Sequence, residues 1–489
     1  MDGSLIDFFN DREIFITGGS GFLGKGLIEK ILRSFNVSKI YVLLRPKKGV
    51  DPNKRLEELK KDQIFNVLRR EKPKELDKLI TIPGDVSQLN LDIPLSSIKL
   101  LQNVSIVLHS AATIRFDEPL KTAILINVRG TREVLRIAAK LPKLQMFLHI
   151  STLFSNCNLK FIDEKIYPAP MDWRNCIRIA EQVNDDDMRV FENKLTKGYP
   201  NTYTFTKSLS EHVVNDFHQT IPIVIIRPSI VLCSLFDPFP GYTDNVSGST
   251  SVAVAGGTGL LRTFLCDPDM IPNQVSLDVV VRIAILSIWK AANDKIQKNP
   301  FICNITGELY PRYSIRRQLE IMKTIWKEIP YNKMFWKPAV FATRNKMIYH
   351  IRFFLFQLFP AISVDTILML IGRKPILVKY QRIICGAMKG FQFFLSSPIV
   401  SGFSNMKMLS VESQKFPGFE AKNSFILDAL EYGEIVATSC RRFIFKEKDS
   451  DLPKAKTLYK WFWLADVIFK LFLLFIFFTV VYSCLDWLT

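Results

Sequence analysis

The amino-acid sequence predicts a doubly wound α/β fold with a parallel sheet, followed by a mostly helical region and a membrane-spanning helix. Two observations predict the sheet. Short apolar runs alternate with stretches of helical periodicity in the first third of the chain, and the first run leads into a glycine-rich turn. Strands that alternate with helices pair in parallel, so helices should cover both faces of the sheet. The predicted strands are Glu13–Thr17, Lys39–Arg45, Leu79–Pro83, Val104–His109, Met146–Ser151 and Ile223–Ile226.

Helical patterns connect the strands and dominate the later part of the chain. Phe22–Ser34 and Asn127–Lys140 are predicted helices between strands. From Ile315 to Phe445 the apolar residues recur at helical spacing, and the predicted breaks lie at Pro360, Gly372 and Pro417. We therefore expect a sheet domain over residues 1–310, a helical domain over 311–448, a polar linker over 449–463 and a membrane anchor over 464–485.

The composition indicates a folded protein whose positive charge fits an anionic lipid or a phosphorylated substrate as well as it fits nucleic acid. Hydrophobic residues make up 48% of the 489 residues, and the formal net charge is +18. The basic residues are spread along the chain and form no dense stripe. The eight cysteines include no Cys-x-x-Cys pair. We expect no metal site, and thiols that face the cytosol.

The final apolar segment, Leu464–Leu485, is long enough to cross a hydrocarbon core of about 30 Å. Tryptophans and a tyrosine flank it, and lysines precede it, so we expect a tail anchor with the rest of the chain on the cytosolic side. A very apolar core helix is the alternative. A second candidate, Phe353–Leu370, is interrupted by Pro360 and Asp365, and a buried or interfacial helical hairpin is as good an interpretation as a span.

The turn after the first strand has the glycine spacing of a Rossmann-type dinucleotide site. The sequence TGGSGFLG places glycines where the chain must turn tightly, approach a pyrophosphate and pack a helix on the sheet. The helix that follows would offer free N–H groups to the phosphates. The alternative is a tight turn that binds no cofactor. The predicted cofactor contacts in this turn are Thr17, Gly18, Gly19, Ser20, Gly21, Phe22, Leu23 and Gly24.

The end of the second strand favours NADPH over NADH. An NAD enzyme usually has an acid here that binds the ribose 2′-hydroxyl, whereas this chain has Arg45 followed by two nearby lysines, which would neutralise a 2′-phosphate. A solvated basic turn is the alternative. Further predicted cofactor contacts follow the third and fourth strands, at Asp85, Val86, Ala111 and Ala112.

A Tyr-x-x-x-Lys pair supplies the candidate catalytic groups. Tyr203 and Lys207 would share one face of a helix, and the ammonium should lower the phenol pKa so that the tyrosine can protonate a carbonyl oxygen. The lysine could also bind the nicotinamide ribose. Ser151 or Thr152, at the end of a strand, would orient the carbonyl. The pattern alone is common by chance, and its position behind the glycine turn gives it weight. His109 and His149 fit packed core histidines better than catalysts.

Several motifs together resemble the extended short-chain dehydrogenase/reductases and, within them, the alcohol-forming fatty acyl-CoA reductases. The resemblance covers essentially the whole chain. It implies that residues 1–310 bind NADPH and carry substrate loops, and that Pro228 and Ser229 also contact the cofactor. The motifs are TGGSGFLG, HSAATIRFDE (His109–Glu118), NVRGTRE (Asn127–Glu133), HIST (His149–Thr152), YTFTK and IRPSIV (Ile226–Val231).

The resemblance implies reduction of a long-chain acyl-CoA by NADPH to an aldehyde and then to a primary alcohol. Three departures concern the acyl-chain preference more than the reaction: Phe154 and Tyr242 replace a tyrosine and a tryptophan, and the family's Ile-Pro-Val-Asp block is blurred within Ile271–Asp278. The expected partners are the acyl-CoA and a membrane of the endoplasmic reticulum or peroxisome, with no nucleic acid; a homo-oligomer stays open. Two alternatives remain: a membrane-bound reductase of a sterol or nucleotide sugar, and a non-catalytic membrane scaffold.

Overall fold

The structure is a computed structural model, and it describes residues 4–244, 246, 248–294, 299–309, 312–420 and 428–488. The strands are β1 Glu13–Thr17, β2 Lys39–Leu44, β3 Leu79–Pro83, β4 Val104–His109, β5 Met146–Ile150, β6 Phe161–Ile162, β7 Ile223–Pro228, β8 Ile230–Leu232, β9 Thr263–Leu265, β10 Gln274–Ser276, β11 Phe301–Ile305, β12 Phe341–Thr343 and β13 Val400–Ser401.

The α-helices are α1 Leu5–Phe9, α2 Phe22–Ser34, α3 Pro52–Lys60, α4 Asn66–Glu71, α5 Leu95–Leu100, α6 Leu120–Ile124, α7 Gly130–Ala138, α8 Trp173–Gln182, α9 Asp185–Leu195, α10 Thr202–Phe217, α11 Gly248–Gly257, α12 Leu277–Asn293, α13 Ile315–Glu328, α14 Lys346–Phe353, α15 Phe359–Leu370, α16 Leu377–Gln392, α17 Ser404–Glu412, α18 Ala429–Ser439 and α19 Leu452–Leu488. One π-helical turn, Leu125–Arg129, lies between α6 and α7, and another, Phe354–Leu358, joins α14 to α15.

A seven-stranded parallel sheet in the order β11-β7-β5-β4-β1-β2-β3 confirms the predicted doubly wound fold. Each predicted strand begins at the predicted residue. The sequence did not predict β11 because Asn304 interrupts its apolar pattern. That buried side chain donates hydrogen bonds to the carbonyls of Ile162 and Gly402. The strand order reverses between β1 and β4, where such folds have their ligand crevice.

The core consists of the strand side chains and the helices on the two faces of the sheet. Phe205 and Leu209 of α10 lie in one buried cluster with Phe147 of β5 and residues of α7. Helix α12 packs against α2 and against β5, β7 and β11. Gly26 allows the close approach of α12 to α2, since a Cβ there would lie 3.0 Å from Val281. Most of these side chains are fully buried, so the sheet is a rigid base for its loops.

The chain forms two compact units that are not contiguous in sequence, which differs from the predicted domain boundaries. The first comprises the described residues of Met1–Tyr242, Asn273–Arg312 and Ser397–Ile426; the second comprises those of Thr243–Pro272, Tyr313–Ser396 and Leu427–Thr489. Strand pairing explains why the segments that contain β13 and β9 belong to different units from the segments next to them in sequence. The first unit includes β13 because it pairs with β6, and the second includes β9 because it pairs with β12. Such pairing joins segments far apart in sequence and leaves no local sequence signal.

The predicted linker over residues 449–463 is mostly the start of the long helix α19. Pro453 lies in its first turn, where the missing N–H costs nothing, and Ala455 is buried. Farther along, Asp466 is fully buried within the second unit and accepts hydrogen bonds from the Arg262 guanidinium at 2.7 Å and from the Trp336 indole at 2.9 Å. The first part of α19 is therefore packed into the second unit as a structural helix.

Two helical segments of the second unit are long and apolar enough to cross a membrane, judged by length and composition. They are Lys346–Leu370 and Asp449–Ser483. In the first, Pro360 was predicted as a break, but the helix continues through it by means of the π-helical turn. Proline cannot donate to the carbonyl four residues earlier, and the wider turn accommodates that loss. Gly372, with φ +71°, does end the helix as predicted.

Candidate active site

The glycine turn after β1 lies directly against the chain that leaves β4. Gly18 has φ +71°, and a Cβ there would lie 2.5 Å from the amide nitrogen of Ala111. At Gly24 a Cβ would lie 2.2 Å from the Gly18 carbonyl oxygen. Gly21 precedes α2, whose first turn has no side-chain cap. The N–H groups at this helix end can therefore bind an anion in a cradle that any larger residue would fill.

His109 is a structural residue that joins β1, β4 and α7 beneath this turn. Its Nδ1 lies 2.7 Å from the Thr17 hydroxyl, and its Nε2 lies 2.9 Å from the Thr131 hydroxyl. The Thr131 hydroxyl donates to the Asn127 carbonyl, so it accepts from Nε2–H, and Nδ1 accepts from Thr17. Burial, and then the nearby Lys207 charge, lowers the pKa of His109 to about 3. The imidazole is neutral and serves no acid–base role at neutral pH.

Two predicted cofactor residues, Arg45 and Asp85, form an ion pair with each other. The guanidinium lies 3.3 Å from the carboxylate, and the Arg45 side chain stays 55% exposed. Asp85 also accepts a hydrogen bond from the Ser87 amide, while Val86 packs against Gly130. Arg55 of α3 donates to the Arg45 carbonyl. Sequence reasoning missed Arg55, because nothing in the sequence indicates that α3 returns to the end of β2.

Tyr203 and Thr152 lie together at the carboxyl end of β5. Tyr203 is in the first turn of α10, where the Asn201 side chain caps the helix. Burial raises the pKa of Tyr203 to about 12, and a hydrogen bond with the Thr152 hydroxyl opposes that shift. The sequence argument predicted a pKa lowered by Lys207. The structure gives the opposite direction, because the desolvation of the phenol dominates.

Lys207 lies one helical turn after Tyr203, and its ammonium donates to the Ile150 carbonyl at 2.6 Å. Burial lowers the pKa of Lys207 to about 8, while the Glu211 carboxylate opposes the shift. The lysine is fixed at the end of β5 by this bond. Tyr203, Lys207 and Thr152 are therefore brought to one end of one strand, as the sequence predicts.

Ser151 is directed away from the phenol, into a buried ion pair. Its hydroxyl donates to Glu211, whose carboxylate also binds the Arg227 guanidinium at 2.9 and 2.7 Å. Burial raises the pKa of Glu211, but the Arg227 charge and the hydrogen bonds from Arg227, Ser151 and Ser155 together outweigh it, so the net shift is downward. Glu211 and Arg227 fix the ends of β5 and β7 relative to α10. Of the two predicted hydroxyls, only Thr152 faces Tyr203.

Two further polar residues lie near the candidate site, one just after β7 and one in the π-helical turn before α7. Ser229, after Pro228, has a buried hydroxyl with no hydrogen-bond partner among the described residues. Such an orphaned group fits a polar ligand that the protein alone does not supply. Asn127, in the π-helical turn, bonds the Thr113 backbone and the Thr206 hydroxyl. Sequence reasoning gave this asparagine no role, and the π-turn that directs it has no sequence signal.

Two of the three departures from the resembled family, Phe154 and Tyr242, occupy buried positions. Phe154 is buried just after Thr152. Tyr242 stacks on Phe22 at 5.9 Å between ring centroids, and its hydroxyl donates to Asp62 at 3.0 Å. Lys25 of α2 also binds Asp62, at 2.6 Å. The tyrosine therefore packs against the first turn of α2, beside the glycine turn.

Comparison with known proteins gives the family. A family model described as male sterility protein matches residues 16–284, which is more than half of the chain. The chain is 34% identical to "Fatty acyl-CoA reductase wat" of Drosophila melanogaster, over 93% of this chain and 88% of the relative. The chain belongs to the fatty acyl-CoA reductase family. "Fatty acyl-CoA reductase 1" of Xenopus laevis is 34% identical, with the same coverage of both chains, and that of Homo sapiens is 33% identical.

Solved structures share the fold. The terminal R domain from the myxalamid biosynthetic pathway aligns with a TM-score of 0.59 over 89% of this chain and 92% of that domain, at 15% identity. A UDP-glucuronic acid 4-epimerase from Bacillus cereus in complex with NAD aligns with a TM-score of 0.52 over 90% and 99% of the two chains, at 15% identity. A family of reductases and this fold together give a nicotinamide dinucleotide as the cofactor.

We expect Gly18→Ala to weaken cofactor binding far more than Gly49→Ala. Both glycines have positive φ, so both substitutions carry backbone strain on the order of 1–3 kcal/mol. Only at Gly18 would the new Cβ strike backbone, whereas Gly49 has open space within 4 Å. The dissociation constant of the cofactor, measured by fluorescence titration, should rise at least about tenfold, or about 1.4 kcal/mol, for Gly18→Ala. Equal affinities in the two variants would contradict the assignment of the turn.

Proposed function

We propose that this chain reduces a long-chain fatty acyl-CoA to a primary alcohol and free CoA with NADPH. The observation that carries the proposal is the pairing of Tyr203 with Thr152 at the same edge of the parallel sheet as the glycine turn, in a chain of the fatty acyl-CoA reductase family. When bound, one reduced nicotinamide would supply the hydride that converts the thioester to an aldehyde with loss of the thiol, and a second molecule of NADPH, bound in its turn, would supply the hydride that converts the aldehyde to the alcohol.

The residues present fit a dinucleotide. At Gly18 and Gly24 there is no room for a side chain, so the backbone there can approach a ligand closely. The uncapped end of α2 offers N–H groups to a pyrophosphate. The remaining predicted contacts of the turn, Gly19, Ser20, Phe22 and Leu23, adjoin that end. Ala111 and Ala112 leave room where β4 ends, and the unpartnered Ser229 hydroxyl can bond a polar group of the cofactor.

Each catalytic side chain has a distinct proposed role. A phenol with a pKa of about 12 stays protonated at neutral pH, so Tyr203 can donate a proton to the carbonyl oxygen in each reductive step. Thr152 orients that oxygen. Lys207, with a pKa of about 8, is mostly charged at neutral pH and binds the nicotinamide ribose. Ser151 acts through Glu211 as a positioning residue.

Replacement of Tyr203 by Phe should lower turnover by about 10²- to 10⁴-fold, the contribution typical of a positioned acid, while cofactor affinity stays nearly unchanged. The assay measures alcohol formed by the purified chain from acyl-CoAs of several lengths, with a sterol and a nucleotide sugar as competing substrate classes. Tyr199→Phe is the matched control, because that phenol donates only to Ser208. Near-normal alcohol formation by Tyr203→Phe, or turnover of only the competing substrates, would refute the proposal.

The preference for NADPH rests on two guanidinium groups at the end of β2. Arg45 is the predicted contact, and Arg55 places a second positive charge next to it through its bond to the Arg45 carbonyl. The two charges repel each other: burial first, and then Arg45, lowers the pKa of Arg55. A 2′-phosphate would relieve that repulsion. The Arg45–Asp85 pair is exposed, so the guanidinium can exchange its partner at little cost.

Arg45→Ala should raise the KM for NADPH by about 10- to 100-fold, which corresponds to the loss of about 1.5–3 kcal/mol for a charged hydrogen bond. The KM for NADH should change much less. Arg55→Ala should act in the same direction, whereas Arg70→Ala, an exposed arginine of α4, provides the control. Equal use of both cofactors by the unmodified chain would remove the basis for this prediction.

We further propose that α19 anchors the protein with its catalytic unit in the cytosol, in the endoplasmic reticulum or peroxisome. The side chains from Leu471 to Tyr482 are mostly exposed and apolar, whereas the preceding turns pack into the second unit around Asp466. Within the earlier part of the predicted anchor, Leu464 and Ile468 are exposed as well. Lys454, Lys456 and Lys460 precede the anchor, as expected for a cytosolic flank.

A chain truncated after Leu473 should lose its resistance to carbonate extraction and remain folded, because Asp466 and its partners are retained. Truncation after Lys456 should also lower the unfolding temperature, because it leaves the buried Arg262 without its carboxylate. Fractionation and thermal unfolding measure these effects. An epitope fused after Thr489 should be protected from protease in intact vesicles. Carbonate resistance of the chain that ends at Leu473 would exclude α19 as the anchor.

A further inference from the structure

Helices α15 and α16 form a hairpin whose turn is stabilised by one carboxylate. Asp365 accepts hydrogen bonds from the backbone N–H groups of Ile376, Leu377 and Val378, at 2.9, 3.0 and 2.8 Å. These are the donors at the N-terminal end of α16, which have no partner within the helix. Asp365 lies inside the apolar segment where the sequence analysis placed a candidate span. Its role is to close the hairpin, and the chain turns back after α15.

The backbone on the α15 side of the turn is also satisfied internally. The amides of Ile371, Gly372 and Arg373 donate to carbonyls of the last turn of α15, at 3.1, 3.0 and 2.7 Å. Pro375 has no N–H group. A turn on a protein surface usually leaves such donors to water. Here six amides on the two sides of the turn are bonded within the hairpin, which lowers the cost of entering an apolar medium.

The side chains around the turn are apolar and exposed. Leu370 is 81% exposed and Ile371 61%, and Ile367 and Met369 are each more than half exposed. We call Ile367–Ile376 the hairpin tip. Large apolar side chains that adjoin one another on a surface favour an apolar partner, because burial stabilises by about 25 cal/mol per Å². The tip therefore has a free face that water solvates poorly.

Apart from the buried Asp365 of α15, the charged residues of the tip and of α16 are all positive. No Asp or Glu occurs between Asp365 and Glu412, whereas the tip and α16 contain Arg373, Lys374, Lys379, Arg382 and Lys389. Arg373 and Lys374 lie in the turn itself and are exposed. Apolar side chains with basic residues beside them match the layers of an anionic bilayer, where acyl chains lie beneath phosphates.

The base of the hairpin is polar and packed into the second unit. Gln357, in the π-helical turn, accepts hydrogen bonds from the amides of Arg262 and Thr263 and donates to Gln381 of α16. Both glutamines are buried. A helix whose midpoint is held in the protein by a buried, hydrogen-bonded glutamine cannot cross a bilayer as an isolated span. The tip, at the other end of the hairpin from this polar base, is the part that we consider for insertion.

The base of the hairpin also contacts the proposed anchor. Phe356 lies against Phe469 of α19, with ring centroids 6.3 Å apart. The base of the hairpin is therefore packed against α19 just before the stretch from Leu471 onward in which nearly every side chain is exposed. We propose that the hairpin tip inserts into the interfacial layer of an anionic lipid bilayer, with Arg373 and Lys374 on lipid phosphates.

The test is photolabelling of the full chain in vesicles of phosphatidylcholine and phosphatidylserine that contain a lipid with a diazirine in its acyl chain. After digestion, mass spectrometry should find lipid adducts on the peptide that contains Ile367–Arg373 and, separately, on the α19 peptide. Label on the α19 peptide alone would overturn the proposal while leaving the anchor intact. A tip without a lipid adduct, whose lysines are joined to the tip of another chain by an amine-reactive bifunctional cross-linker in a parallel sample, would assign the surface to a second copy and would also overturn the proposal.

Two sets of variants make the result specific. Leu370→Asp with Ile371→Asp should reduce the tip adduct at least about tenfold, equivalent to about 1.4 kcal/mol of insertion free energy. Val190→Asp with Phe191→Asp, an exposed apolar pair on α9, should not change it. The unfolding temperature should be unchanged in both, because all four side chains are exposed. A tip adduct that survives the aspartates would contradict insertion.

The charge contribution is tested by Arg373→Glu with Lys374→Glu. On vesicles with phosphatidylserine the tip adduct should fall several-fold, and high salt should reduce the adduct of the unmodified chain in the same way. On pure phosphatidylcholine the variant and the unmodified chain should differ little. An equal adduct yield on both vesicle types, with and without the glutamates, would overturn the assignment of these two residues to lipid phosphates.

Discussion

The close approach of the glycine turn to the end of β4 is the constraint on which the candidate site depends. Gly18 can lie against Ala111 only because it has no Cβ. The neutral His109, at the end of β4, is bonded to β1 through Thr17 and to α7 through Thr131. A charged imidazole there would have two donors and would lose the acceptor that Thr17 requires. The buried, uncharged state of His109 is therefore part of the geometry of the crevice.

A second buried element fixes the catalytic side of the crevice. Glu211 and Arg227 connect α10 to the ends of β5 and β7, and all their polar contacts are made within the protein. A buried pair of this kind contributes more to a unique arrangement than to stability, since desolvation offsets much of the attraction. Because Tyr203 and Lys207 are on the same helix as Glu211, this pair sets where α10 places them. Ser151 belongs to this support.

The local parts of the site could be predicted from the sequence, and the long-range parts could not. The strand starts, the glycine turn and the helical spacing of Tyr203 and Lys207 follow from nearest-neighbour patterns, and the structure has them where they were expected. Arg55 next to Arg45, the partner of Ser151 and the pKa direction of Tyr203 depend on residues distant in sequence and on burial. Pairing of β13 with β6 likewise decides the discontinuous units, and no local pattern encodes it.

The same limit governs the membrane segments. A hydropathy pattern treats Asp365 and Asp466 alike, as charges that weaken a candidate span. In the folded chain each carboxylate is satisfied within the second unit, Asp365 by three backbone amides and Asp466 by Arg262 and Trp336. The hairpin tip follows Asp365, and the most exposed turns of α19 follow Asp466. A charged residue inside an apolar helix can thus be a structural contact of the folded unit, and its partners distinguish that role from the interruption of a span.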